Sequence, residues 1–402
     1  MPQDEMTIDE LIASQKPGHA LDRCFYTDPG IYVLELERIV MRNWILAGHQ
    51  SELPRPGDFK VIDVANESAI IVRGSQGDLN AFANVCRHRG SLVCLERNGS
   101  VRKFTCPYHG WMYDIDGNLV AARNMPGDFD KTEHGLQQIS VDTVHGLVFV
   151  SFSDKPPSLK GAKRDLAEPM ALFGFEHLKV AAYREYDIPA NWKLSIENYL
   201  ECYHCATAHP DYAKMHTLML DSDKRERTQH HMLEKMDACG MRDLLIGHRH
   251  GMARPGEMGY GYSRTALFEG YQTGSRDGTP VAPLLGELKD YDGGASDFDF
   301  GPFSYLLAYS DHVVCYVFTP VDVGNSRCDI YWLVRDDARE GKDYHVDDLT
   351  WLWDVTTKAD KTIIANNAKG VQSRYYQPGP LSGMETSERG FIEWILAELN
   401  GH

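Results

Sequence analysis

Four metal-seeking side chains stand in two tight pairs within one short stretch, CRHRGSLVCLERNGSVRKFTCPYHG over residues 86–110. Cys86 goes with His88, and Cys106 with His109. A chain built this way has to fold so that two loops, each bringing one sulfur and one imidazole, meet at a single point. Two thiolates and two imidazoles can close a tetrahedral zinc site. The order of the donors opens a second possibility, because zinc fingers usually pair Cys with Cys and His with His, whereas here the spacing is C-x-H, seventeen residues, then C-x2-H. Mixed pairs let both thiolates reach one iron of a [2Fe–2S] cluster and both imidazoles the other. Cys94 lies between the pairs and reads as a small core residue. Cys24, Cys239, Cys315 and Cys328 have no partner at ligand spacing.

At 402 residues and 43% hydrophobic composition the chain is long enough for two domains, each with its own core. The opening MPQDEMTIDELIASQ is acidic, and no later segment reaches the ~18 uninterrupted apolar residues that span a bilayer. A soluble, cytoplasmic protein with no membrane partner is therefore expected. Nine cysteines, an odd number in no regular framework, predict reduced thiols and no structural disulfide. A formal charge of −17 argues against nucleic acid as the main partner.

Residues 1–44 read as helical, with TIDELIAS opening on a Thr cap and PGIYVLELERIVMRNW apolar at helical spacing. From Asp58 the period changes. FKVIDV, SAIIVRG, LNAFANV and later LVFVSF are short β-branched or aromatic runs broken by turn compositions, so the Cys/His loops sit on a small β domain over 45–155. The remainder, 156–402, holds a helix around WKLSIENYLECYHCATAH and a Gly-rich stretch over 247–302 that reads as irregular. An antiparallel meander (SYLLAYS, HVVCYVFTPV, RCDIYWLVR) follows, and a long helix from about Val346 to Asn367 closes the domain.

The stretches CRHRG and CPYHGWMYDIDGNL resemble the two loops of the Rieske family, including Pro107, Tyr108 and Trp111. The resemblance implies that Cys86, His88, Cys106 and His109 hold a Rieske [2Fe–2S] cluster, a one-electron carrier of raised potential.

A second motif explains the other 250 or so residues. In NWKLSIENYLECYHCATAHPDY, Glu197, Glu201 and His204 fall at i, i+4 and i+7, one stripe of a helix. His209 lies roughly 140° further round, so the helix must distort or end for both imidazoles to meet one ion, and Pro210 is consistent with an end there. The segment resembles the catalytic domain of the Rieske non-haem iron oxygenases, whose pattern runs N-W-K, E-N, an acidic residue, Y-H, then H. That resemblance implies a mononuclear Fe(II) held by His204, His209 and one carboxylate. Asp347, Asp348, Asp354 and Asp360 are candidates, and Asp360 is chosen because it stands ten residues before Gly370, the family's distance from a similar Gly-containing stretch. The implied fold is α+β: a small antiparallel β Rieske domain, and a helix-grip-type catalytic domain with an antiparallel sheet and a long C-terminal helix. Residues 1–44 are expected to pack on the catalytic domain.

The resemblance carries a further set of expectations. Glu201, three before His204, is the position that bridges an iron ligand to a cluster imidazole, here His109, of a neighbouring chain in a homotrimer. Glu rather than Asp at that place, within ECYHC, resembles the branch acting on quaternary ammonium compounds such as carnitine and betaines. Aromatic rings favour such cations by ~0.5–2 kcal/mol each, and Tyr260, Tyr262, Phe268, Tyr271, Phe298, Phe300, Phe303, Tyr305 and Tyr309 are available, although rings suit an arene as well. The expected function is the terminal oxygenase component of a monooxygenase, causing N-demethylation or C–N cleavage. Electrons would come from NAD(P)H through a separate flavin and iron–sulfur reductase, since no G-x-G-x-x-G follows a strand. Hydroxylation or demethylation of an aromatic compound is the alternative, and a pure electron carrier the more distant one.

Overall fold

In a computed structural model, residues 6–217, 222–251 and 256–401 are described. The first five residues of the acidic opening and residues 252–255 of the Gly-rich stretch lie outside them. Thr7 caps the helix Ile8–Ser14, its side chain and that of Glu10 each taking the other's backbone N–H. Asp28 caps Pro29–Glu35 by accepting from the N–H groups of Gly30 and Ile31, and the helix continues through a wider π-type turn over Leu36–Val40. This N-terminal segment is tied to the second motif. Buried Glu35 accepts from Trp192 Nε1 at 2.9 Å and from the fully buried Lys193 Nζ at 2.6 Å, and the Tyr26 hydroxyl lies 3.0 Å from both oxygens of Glu197. The N-W-K triplet is thus a buried ion pair, in which each charge answers the other's desolvation.

The middle of the chain forms three small antiparallel sheets. Ile45–His49, Leu147–Ser151 and Ser140–Val144 make one; Leu79–Ala83, Glu67–Arg73, Asp58–Val64 and Asn98–Ser100 the second; Lys103–Thr105, Met112–Asp114 and Leu119–Ala121 the third. Between the last two lies a separate core of Phe59, Val61, Ile70, Val72, Phe82 and Phe104, with Cys86 and Cys106 at its edge.

A seven-stranded antiparallel sheet carries the second half. Its order is Leu178–Ile188, Asn325–Arg335, Val313–Asp322, Ser304–Ala308, Gly294–Phe300, Tyr260–Ala266 and Arg249–Gly251. The 26-residue helix Val346–Val371 lies against the first strand and the helix Trp192–Tyr199. Two features differ from the sequence reading. The stretch 247–302, read as irregular, supplies three strands of the sheet, because GYGYSRTA and GASDFDF alternate between faces even though Gly and Asp fill many positions. The long helix is also not the last one: Thr386–Asn400 follows, and buries Phe391, Ile392, Ile395 and Leu399 toward the N-terminal helices. Among the described residues no helix is long and apolar enough to cross a membrane.

Candidate active site and cluster loops

The two Cys/His loops are built on one plan. In each, the Cys carbonyl accepts from the N–H of a glycine four residues on (Gly90 to Cys86, Gly110 to Cys106, both 3.0 Å), and the Cys N–H reaches the carbonyl five residues on (Ser91 and Trp111, both 2.8 Å). Both glycines are left-handed, with φ of +74° and +71°, which a side chain resists. The repeated C-x3-G is the sequence trace of this turn. It buries both sulfurs and leaves His109 exposed. The His88 and His109 rings stand 4.5 Å apart, and His88 stacks on Trp111 at 4.8 Å. Tyr113 receives the Arg87 N–H at 3.0 Å, which leaves its own O–H free to donate to Cys86 Sγ at 3.3 Å. The donor set fits a cluster: burial raises the Cys86 thiol, the two cysteines interact, and His88 Nδ1 is buried with no hydrogen-bond partner.

At the second site the helix does end, as His209 demands, but earlier than the Glu197, Glu201 and His204 stripe allows. The chain is helical over Trp192–Tyr199, breaks, and resumes as the short turns Cys205–Ala208 and Pro210–Ala213. Glu201 makes the break. One of its oxygens takes the N–H groups of Tyr203 and His204, and the other lies 2.5 Å from His204 Nδ1. The stripe of Glu197, Glu201 and His204 therefore does not form, and Glu197 turns away to Tyr26. The same fold-back brings the Cα atoms of Cys202 and Cys205 to 5.0 Å, and their sulfurs are bonded. This corrects the expectation of no disulfide: counting cysteines could not reveal a pair closed by a local turn.

The break turns His204 and His209 toward one point. Their Nε2 atoms are 3.1 Å apart, and Asp360 Oδ1, from the long helix, is 3.2 and 3.0 Å from them. Cys205 is close to both imidazoles, but its sulfur is taken by Cys202. Asp354 points elsewhere, held by Tyr186, Arg184 and Lys358 at 2.7 Å each. Burial works to lower the His204 imidazole, but the carboxylates of Asp360 and Glu201 hold it up to about 9. Asp360 Oδ1 and His209 Nδ1 are buried without an aligned hydrogen bond. Two ring nitrogens and one carboxylate oxygen so placed would suit a divalent iron, and all three line a cavity.

That cavity measures about 530 Å³ and is bounded by the three donors, by Tyr199, Tyr212 and Trp353, and by one face of the sheet. Of the nine aromatic residues singled out from the sequence, Tyr305 reaches it; Phe298, Phe300 and Phe303 lie in the core. The sheet also places Asp297 and Asp299 on the cavity, residues that sequence reading passed over as part of a turn-like stretch. Their trace was the alternation D-F-D-F.

Comparison with known proteins places both halves of the chain in one family. Residues 43–139 match the Rieske [2Fe-2S] domain, and residues 175–401 the ring hydroxylating alpha subunit (catalytic domain). The chain belongs to the Rieske non-haem iron oxygenases, as an oxygenase alpha subunit. It is an oxidoreductase that uses a Rieske cluster and a mononuclear iron and draws electrons from a separate reductase. It is 34% identical to the glycine betaine monooxygenase oxygenase subunit of Chromohalobacter salexigens over 390 residues, 96% of this chain and 86% of that one. It is 30% identical to the carnitine monooxygenase oxygenase subunit of Escherichia coli K12, over 99% of this chain and 96% of that one. A solved quaternary ammonium Rieske monooxygenase, whose structure bears on carnitine oxidation by gut microbiota and inter-subunit electron transfer, has a TM-score of 0.74 at 23% identity, with 98% of each chain covered, and shares the fold.

Proposed function

We propose that this chain hydroxylates a carbon bound to the cationic nitrogen of a quaternary ammonium or betaine-type substrate. The observation that carries the reading is similarity along nearly the whole chain to glycine betaine and carnitine monooxygenase oxygenase subunits. When bound, the cluster supplies single electrons and the iron supplies oxygen activation. His204, His209 and Asp360 are the iron ligands, and Cys86, His88, Cys106 and His109 the cluster ligands. Hydroxylation consumes one dioxygen, two electrons and two protons and releases one water. The product, with hydroxyl and nitrogen on one carbon, breaks its C–N bond to give a carbonyl compound and an amine. The working boundaries are 1–44, packing on the catalytic domain, 45–155 for the cluster domain and 156–402 for the catalytic domain.

The assembly is a head-to-tail homotrimer in which His109 of one chain meets Glu201 of the next. Support comes from surface chemistry: exposed Tyr108 and His109 crown the cluster, exposed Tyr203 adjoins Glu201, and no hydrogen bond, ion pair or ring contact among the described residues joins the two donor sets within the chain. The cytoplasm, where NAD(P)H-dependent reductases work, is the compartment this requires. Purified protein with a flavin and iron–sulfur reductase and NADH should consume oxygen in response to glycine betaine or carnitine and release an aldehyde stoichiometrically. Uptake coupled only to aromatic acids would replace this reading with the arene alternative.

A further inference from the structure

We propose that Asp297 and Asp299, beside the rings of Tyr199 and Tyr305, form the subsite that receives the substrate's cationic nitrogen. The inference rests on the quaternary ammonium reading and deepens it. Both carboxylates belong to the strand Gly294–Phe300, where alternation sends Phe298 and Phe300 into the core and Asp297 and Asp299 to the cavity. Across the strand Ser304–Ala308, Leu307 pairs with Asp297 and Tyr305 with Asp299. On the other side Gly261 faces Asp299, and a Cβ there would come within 2.4 Å of Asp299 Oδ2, so the missing side chain leaves the carboxylate its room.

Neither carboxylate has a hydrogen-bond or ion-pair partner among the described residues; Asp297 is half-buried and Asp299 exposed, both on the wall of the cavity. The Arg264 guanidinium is on the opposite face of the sheet, taken by Asp292 at 2.8 and 2.6 Å and by Ser296. His250 bears on Asp299 from the edge strand Arg249–Gly251, across Tyr260–Ala266, and Arg225 lines the cavity itself. Burial pushes Asp297 up to about 8, with Asp299 adding repulsion, and pushes Asp299 up to about 6. Two like-charged acids two residues apart on one cavity wall repel each other, and a cation placed between the wall and the cavity relieves that repulsion.

A trimethylammonium head does so. It spreads one positive charge over a large, weakly hydrated surface, pairs with carboxylates at long range and sits on aromatic faces. Tyr199 and Tyr305 supply those faces, their ring centres 4.6 Å apart. A neutral arene would bury the two acids without compensation, so the pair also selects against the aromatic alternative.

The test is calorimetric binding to the metal-loaded protein with three probes: tetramethylammonium, glycine betaine and 3,3-dimethylbutanoate, which replaces the betaine nitrogen by carbon. Unmodified protein should bind glycine betaine at least about tenfold more tightly than its carbon isostere. Asp297→Asn and Asp299→Asn should each weaken tetramethylammonium roughly tenfold and leave 3,3-dimethylbutanoate unchanged or tighter. Their iron content should match the parent's and their melting temperature should not fall. Equal affinity of unmodified protein for the betaine and its isostere overturns the subsite without any variant being needed. Undiminished tetramethylammonium binding in the double Asn variant overturns the subsite and leaves the quaternary ammonium reading intact. No binding of betaine or tetramethylammonium by unmodified protein overturns both.

Discussion

The two proposed metal sites solve the same problem at different ranges. The cluster loops take every donor from one stretch between Cys86 and His109, and the backbone of each loop closes on itself through a left-handed glycine. The iron site collects donors from a broken helix and from a helix that begins at Val346, and what aligns them is tertiary packing. One site is folded by local hydrogen bonds, the other by the assembly of the domain. The first should therefore survive damage that the second cannot.

Asp360→Ala is the hardest blow to that contrast. It removes one of the three proposed iron donors, so turnover should drop below detection and mononuclear iron should be lost, while the cluster's visible spectrum persists. Metal analysis beside absorption reads both, and loss of the cluster together with the iron would show that the two regions do not fold independently.

Glu201→Gln should have the next largest effect. The amide keeps size and hydrogen-bonding capacity but loses the charge that faces His204 Nδ1 at 2.5 Å. If Glu201 carries electrons between chains, single-turnover oxidation of a reduced cluster slows roughly 10–100-fold at constant iron content. If it only orients His204, iron affinity falls by that factor instead.

Proton linkage separates the regions more gently. In the catalytic half, Asp297 and Asp299 titrate above the carboxylate range, as do buried Glu197, at about 7, and Glu388, at about 9. Each of these four groups holds its proton more tightly in the native state than in the unfolded chain, so the stability they contribute is full below the ordinary carboxylate values and is lost as pH rises toward about 9. In the cluster region Asp116 and Asp130 are lowered by hydrogen bonds from Ser75 and Thr132, so their contribution is present at neutral pH and lost on acidification. Melting temperature should fall from pH 6 to pH 9, and the double Asn variant at 297 and 299 should show a shallower slope. An identical slope would mean that those two acids are solvated in the native state.

The smallest effect is expected at Tyr113→Phe. Loss of its hydrogen bond to Cys86 Sγ removes stabilisation of the reduced cluster, lowering the potential by about 20–60 mV, the equivalent of one hydrogen bond of roughly 0.5–1.5 kcal/mol. Spectroelectrochemistry measures it, and an unchanged potential would show that the phenol donates elsewhere.

The same contrast in range governs what could be read from the chain. The meeting of the two Cys/His pairs was legible because the turn that shapes each loop is written in consecutive residues. His204 and His209 were legible as a motif, yet the geometry uniting them was not, because Glu201 diverts backbone N–H groups that a helix would use. Asp360 stood out from Asp354 only through family spacing, since both lie on one helix and Arg184 and Tyr186, distant in sequence, claim the other. The cavity wall was missed for a compositional reason. Gly, Ser and Asp in GASDFDFG signal turns, and only pairing with Tyr260–Ala266 and Ser304–Ala308 makes that stretch a strand.

That wall bears on how such a chain can diversify. One face of the strand Gly294–Phe300 is committed to the interior through Phe298 and Phe300, and the other meets whatever occupies the cavity. Replacements at 297, 299, 305 or 307 alter the chemistry of the chamber while the packing behind it stays fixed. A lineage can thus move between substrates by point changes on one side of a sheet, without rebuilding the machinery that handles oxygen.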